Sequence, residues 1–560
     1  MRNPLSKNGP VVGTTNGKVR GKYRAKGRIA LFAGIPYAEA PVGKLRWRAP
    51  QPAESWSGVR DSTKPGPTAF QRKQNFDEFF AGLIEGVGLS TGRQRALKAL
   101  LKAAPTKESD DCLTLNVRSP VGATGLPVMV WIHGGDHTDG SGSDPLYHSS
   151  DALPSRGCVL VTINYRLGMF GFMAHPELSA ESPDGVSGNY GLLDQIAALE
   201  WVRDNISAFG GDANNVTIFG ESAGGQAVLN LMTAPRARGL FHRAIAQSPS
   251  DSGRWLHLDR PVMELDSALA AGGRFATAAV GSADGQLARM RSMDPTELSD
   301  LYREHVDIGR HFYPAVDHRV LPKTPMSAFL AGEQAPVPLL IGYNADEGTL
   351  LAPFCNPAGG EFNPEADSAQ ARRDFETSYG SPAELQALFD AYPGLEVGDQ
   401  QAVITHLGDH MFGVHVDVAT RAHAAAGHPV FRYHYRAVQP SPTQTAGAFH
   451  AAEVLNVFDT SFPLLTPADD NHLLSKAMGD HWVAFAATGD PDFPGRQDWP
   501  LYDPDRPEQM VFNRPDSRVE PAPDQPGLAV MRRRVARLDS ELTSDNEDPV
   551  VSADLPGVTV

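Results

Sequence analysis

Residues 216–228 read VTIFGESAGGQAV, and this stretch decides the fold. A β-branched run, Val216 to Phe219, is followed by Gly220-Glu221-Ser222-Ala223-Gly224 and then by a helical pattern. This is G-x-S-x-G set between a strand and a helix, the context of a nucleophile elbow. The flanking glycines allow a turn too sharp for crowded residues. The Ser222 hydroxyl then stands at the strand's carboxyl end, above a helix N-terminus whose partial positive charge favours a developing anion. Ser222 is the candidate nucleophile.

Working outward, short apolar runs alternate with helical patterns: LPVMVWIH (126–133), CVLVTINY (158–165), YGLLDQIAALEWVRDNISAFG (190–210), NVTIFG (215–220) and GGQAVLNLM (224–232), with further strands at VPLLIGYN (337–344) and PVFRYHYRA (429–437). Continuous Val/Ile/Leu runs separated by helices imply strands buried on both faces, hence an α/β fold with a mostly parallel sheet. Two segments, about 71–107 and 255–335, read as helical insertions, the first with an amphipathic spacing that fits packing rather than membrane binding. There are no repeats and no separating linker, so residues 1–540 are expected to form a single catalytic domain. The acidic end SELTSDNEDPVVSADLPGVTV (540–560) reads as a disordered tail from about 541.

The chain has 560 residues, 41% hydrophobic and 21% charged, enough to bury a sizeable core. With 50 Lys+Arg against 66 Asp+Glu, its formal charge of −16 argues against nucleic-acid and anionic-membrane partners. Cys112, Cys158 and Cys355 are too few and too scattered for a disulfide framework or a zinc site, and read as buried free thiols. No apolar stretch approaches the ~20 residues of a membrane span. The N-terminus MRNPLSKNGPVVGTTNGKVRG has no apolar core of a secretory signal, so the expected location is the cytoplasm.

A nucleophilic serine needs a base, and the base an orienting acid, in the chain order Ser, Asp/Glu, His. NADEGTLL (344–351) places Asp346 and Glu347 at the carboxyl end of a strand, and spacing alone leaves both open as the acid. TAGAFHAAEVLNVF (445–458) places His450 on a glycine-containing loop before a helical run. WIHGGDHTDG (131–140) looks like a loop that turns backbone N–H groups toward an anion, with Asp136, unexpectedly, directly after the glycine pair.

The chain resembles the carboxylesterase/cholinesterase-like family of α/β-hydrolases, the type-B carboxylesterases, in AGIPYAEAPVGKLRWRAPQP (33–52), DDCLTLNV (110–117), WIHGG (131–135), NYRLGMFGF (164–172), GNYGLLDQIAALEWVRDNISAFGGD (188–212), FGESAGG, HRAIAQS (242–248), DEG (346–348), GAFHAAE (447–453), FAATGDP (485–491) and WPLY (499–502). The resemblance implies an α/β-hydrolase fold with insertions lining a gorge and a Ser222-Glu347-His450 triad that forms an acyl-enzyme. It further implies an oxyanion hole from the N–H groups of Gly135, Asp136 and Ala223, a small-molecule ester substrate, and no metal or other cofactor. Gly134, Glu221 and Ser248 are expected to support the triad or face substrate. Hydrolysis of carbamates or amides on the same triad, and a non-catalytic binding module of this fold, are the competing readings.

The departures from the family are local. The segment that usually supplies a disulfide partner for the cysteine of D-C-L reads PGPTAFQ (65–71), so Cys112 is expected to be unpaired. Pro249 replaces the glycine usual after HRAIAQS. Asp136 stands where the family has glycine or alanine. Its side chain is expected either to turn away, toward solvent or a neighbour such as His137 or Ser141, or to face the gorge and act on substrate or water.

Overall fold

The computed structural model describes residues 9–72, 86–88, 90–95, 107–250, 256–262, 265–282, 284–305, 308, 311–350, 381–438, 444–460, 469–514, 516–522 and 524–544. Its centre is an eleven-stranded sheet. In chain order the strands are β1 (Lys22–Arg24), β2 (Ile29–Pro36), β3 (Thr114–Pro120), β4 (Leu126–Ile132), β5 (Val159–Ile163), β6 (Gly211–Glu221), β7 (Arg243–Gln247), β8 (Leu339–Asn344), β9 (Val430–Tyr435), β10 (Glu508–Phe512) and β11 (Arg518–Pro521). Across the sheet they lie in the order β11-β10-β9-β8-β7-β6-β4-β5-β3-β2-β1. Neighbours from β10 to β5 pair in parallel, and the pairings beyond β10 and β5 are antiparallel.

The continuous apolar runs are explained by burial on both faces. Val128, Val130 and Ile132 of β4 join one core, while Met129 and Trp131 between them join the other. The same alternation runs through Val159, Val161 and Ile163 against Leu160, and through Ala244 and Ala246 against Ile245. Because successive side chains of a strand point to opposite faces, a strand covered on both sides has no polar phase. Helices α1 (Tyr190–Asn205) and α2 (Ala223–Thr233) fill the first core with Leu192, Ile196, Val228 and Leu231. Helices α3 (Ala452–Val457) and α4 (Asp469–Thr488) fill the second with Val454, Trp482 and Phe485. This is the α/β-hydrolase fold that the resemblance implied.

Within 255–335 the described residues are helical at Ala268–Val280, Gln286–Ser292, Pro295–Glu304 and Pro325–Leu330. The starts are legible: Ser267, Asp294 and Thr324 accept backbone N–H bonds as N-caps, and Pro295 and Pro325 take the first helical position. A short parallel pair, Leu256–His257 with Ala315–Val316, ties the insertion together. Most of the 71–107 insertion lies outside the described residues. The helix Pro526–Ser544 runs through residues 541–544, where the sequence reads as tail, and residues 545–560 lie outside the described residues.

Candidate active site

Seven parallel strands end on one edge of the sheet, and the site is assembled there. Strand β6 delivers Ser222, half-buried, at the entrance to α2 with φ 59° and ψ −126°, a backbone state that costs a non-glycine residue on the order of 1–3 kcal/mol. The elbow glycines are required by close approach: a Cβ at Gly220 would lie 2.5 Å from the Gly224 carbonyl oxygen, and one at Gly224 would lie 2.1 Å from that of Ile132. The turn is held from both sides, Ser222 N donating to Gln247 O at 3.0 Å and Gln226 N to Ser222 O at 2.9 Å.

The two acids left open by spacing separate cleanly. Glu347, 1% exposed, accepts from Asn344 N at 2.7 Å and from Ser248 Oγ at 2.6 Å on Oε1, while its Oε2 lies 2.6 Å from His450 Nδ1. Asp346 instead accepts from Ala448 N at 2.7 Å and donates its own N–H to Ala448 O at 3.1 Å, clasping the acid loop to the histidine loop. Gly348 permits the acid to reach this depth, since a Cβ there would lie 2.1 Å from Ile404 O. Pro249 leaves Ser248 in contact with the acid.

His450 Nε2 points toward the elbow, 3.2 Å from Oε1 of Glu221, the residue before Ser222. Phe412 stacks on the imidazole with ring centroids 4.5 Å apart, from a π-helical turn, Asp409–Gly413. Burial disfavours the imidazolium, but Glu221, Glu347 and Glu453 outweigh it and raise His450 to about 9. Burial likewise raises Glu221 to about 8, with Glu453 and Glu347 adding to the rise and His450 opposing it. The two groups therefore titrate as a pair across neutral and mildly alkaline pH.

Glu453, fully buried, accepts from Asn344 Nδ2 at 2.6 Å and Gln247 Nε2 at 3.0 Å, and Gln247 Oε1 accepts from Trp482 Nε1 at 3.0 Å. Residue typing did not single out Glu453, although its position three residues after His450, at the start of α3, was a usable signal. Nothing in the sequence marked Phe412.

The loop after β4 approaches the elbow at Gly134, where a Cβ would lie 2.6 Å from Glu221 O and 3.1 Å from Ser222 Cβ. Three successive residues then have positive φ: Gly135 at 103°, Asp136 at 56° and His137 at 54°. Left-handed backbone costs a non-glycine residue roughly 1–2 kcal/mol, and surrounding bonds hold it here. His137 Nε2 meets Gln226 Oε1 of α2 at 3.0 Å, and its carbonyl accepts from Gly168 N at 2.7 Å. Burial lowers His137 to about 4, partly offset by Asp136, so its ring is neutral. The Asp136 carboxylate accepts from the phenol of Tyr313. That partner lies in the 255–335 insertion and was not among those the sequence suggested. Ala223 opens α2 beside Ser222, 1% exposed.

The pattern of the carboxylesterase family matches residues 8–530. Fumonisin B1 esterase of Sphingopyxis macrogoltabida is 35% identical over 518 residues, covering 89% of this chain and 85% of that one. Para-nitrobenzyl esterase of Bacillus subtilis is 34% identical over 520 residues, covering 90% and 94% respectively. Among solved structures, a carboxylesterase of Geobacillus stearothermophilus superimposes with a TM-score of 0.74 at 30% identity, covering 93% of this chain and 99% of that one.

Proposed function

Since the chain belongs to the carboxylesterase family, we propose that it hydrolyses small carboxylic esters through an acyl-enzyme on Ser222, with His450 as base and Glu347 as orienting acid. The observation that carries this reading is the relay at the elbow: Glu347 Oε2 is 2.6 Å from His450 Nδ1, and the other ring nitrogen is turned to the residue preceding Ser222.

In the proposed cycle the neutral His450 takes the Ser222 proton as Oγ attacks the ester carbonyl carbon, and Glu347 offsets the charge of the imidazolium that results. The tetrahedral oxyanion is held by the N–H groups of Gly135, Asp136 and Ala223, each such donor contributing roughly 3 kcal/mol of transition-state stabilisation. Collapse breaks the C–O bond and the alcohol leaves with the proton from His450. Water, deprotonated by the same ring, then attacks the acyl carbon, and Ser222 recovers its proton as the acid departs. The same reading treats the chain up to about residue 540 as one catalytic domain, supported by a single sheet that begins at Lys22 and ends at Pro521.

Ser222→Ala is expected to lower kcat on a short-chain ester by ~10⁴-fold or more, because triad members act as a unit. It is also expected to abolish labelling by a fluorophosphonate. A variant retaining activity within about tenfold of the parent would end the assignment.

A further inference from the structure

Asp136 and His137 adopt left-handed backbone without being glycine, at the turn whose N–H groups are assigned to the oxyanion. His137 is secured to the body of the fold through Gln226 and Gly168. Asp136 is secured through its side chain to Tyr313, and the ring of Tyr313 also meets that of His137 edge-on, with centroids 6.4 Å apart and planes at 86°. Tyr313 is itself fixed, 4% exposed and two residues before the Ala315–Val316 strand that pairs with Leu256–His257. One phenol thus touches both left-handed residues, from an element outside the loops that carry Ser222, Glu347 and His450.

We propose that Tyr313 is a positioning residue for the oxyanion hole: its hydroxyl, by donating to the Asp136 carboxylate, fixes the aim of the Asp136 N–H and keeps the carboxylate charge from opposing the oxyanion. This rests on the esterase reading above. A glycine at 136 needs no anchor, since it enters the left-handed region freely and carries no charge. The phenol anchors the aspartate at this position, so the helical insertion bears on turnover through this hydrogen bond.

The test is a cycle of Tyr313→Phe, Asp136→Gly and the double variant, measuring kcat and KM separately on a short-chain ester together with inhibition by a trifluoromethyl ketone, which forms a tetrahedral adduct on the serine. Tyr313→Phe alone is expected to lower kcat about tenfold, and to weaken the inhibitor by a similar factor, with KM within about threefold. In the Asp136→Gly background the same change is expected to alter kcat by less than about threefold. An equal loss in both backgrounds, or no loss in either, overturns the proposal. If Tyr313→Phe does not fold, Asp136→Ala serves instead: lacking both anchor and glycine freedom, it is expected to fall about fivefold or more below Asp136→Gly in kcat, and equality of the two overturns the proposal. Fluorophosphonate labelling of the parent separates the two failures. An unlabelled parent removes the esterase reading itself, whereas a labelled parent with an unaffected Tyr313→Phe variant removes the Tyr313 assignment alone.

Discussion

Adjacent carboxylates at 346 and 347 reach different partners, Ala448 N and His450 Nδ1, because a one-residue step in a tight turn sends their side chains apart. Glu221 bears on the base from the other side, 3.2 Å from Nε2. An imidazole must be neutral to accept the serine proton, so kcat/KM is fully expressed above the raised histidine pKa and is lost as pH falls through it. With His450 raised from an ordinary 6.5 to about 9, the acid limb is expected to begin near the raised value and to continue downward from there. Glu221→Gln removes one of the carboxylates responsible and is expected to shift the limb down by about one pH unit or more. A profile that does not move would rule out Glu221 as its cause. The places of Ser222 and His450 beside one another were readable because a motif fixes the backbone at each. Tyr313 and Phe412 were not, because their roles come from contacts between segments far apart in sequence, which periodicity does not record.

At the scale of elements, the parallel strands were readable because both faces are buried, and α2 because it follows a turn that only glycines allow. The Leu256–His257 and Ala315–Val316 pair was not readable, since two residues are too few to show a period. One join between elements carries unusual weight. The loop after β5 presents Arg166 to Asp194 of α1, which accepts from its backbone N at 3.0 Å, its Nε at 2.7 Å and its Nη2 at 2.7 Å, both side chains being buried. The guanidinium also lies 5.3 Å from the centre of the Tyr190 ring. Asp194→Ala would strand a buried cation and is expected to cost about 3–5 kcal/mol, read from the midpoint of denaturant unfolding. A loss below about 1 kcal/mol would mean that water reaches Arg166 in the variant.

Taken over the chain as a whole, the cysteine count and the missing usual partner of Cys112 were legible from sequence. Cys112 and Cys158 are buried free thiols, and Cys112 shares its core with Ala69 from the segment that would have carried a partner. Burial raises both thiols, Cys158 to about 12, so neither is a ready nucleophile at neutral pH. Native protein is therefore expected to expose at most the third thiol, Cys355, which lies outside the described residues, to an aromatic disulfide reagent. All three should react on unfolding, and the melting temperature should not depend on reductant. Rapid reaction of two thiols in the native state would contradict the burial of Cys112 and Cys158. Net charge bears on which partners are favoured. It was silent on which segments surround Ser222.

The clasp between Asp346 and Ala448 joins positions 102 residues apart. The span between them leaves and returns at this clasp, and its described residues include strand β9 of the central sheet and Phe412 against His450. The entropy of closing such a loop grows only logarithmically with its length, about 0.6 kcal/mol for each doubling. Length changes within this span that spare β9 and the Phe412 turn are therefore expected to leave the contact between Glu347 and His450 in place.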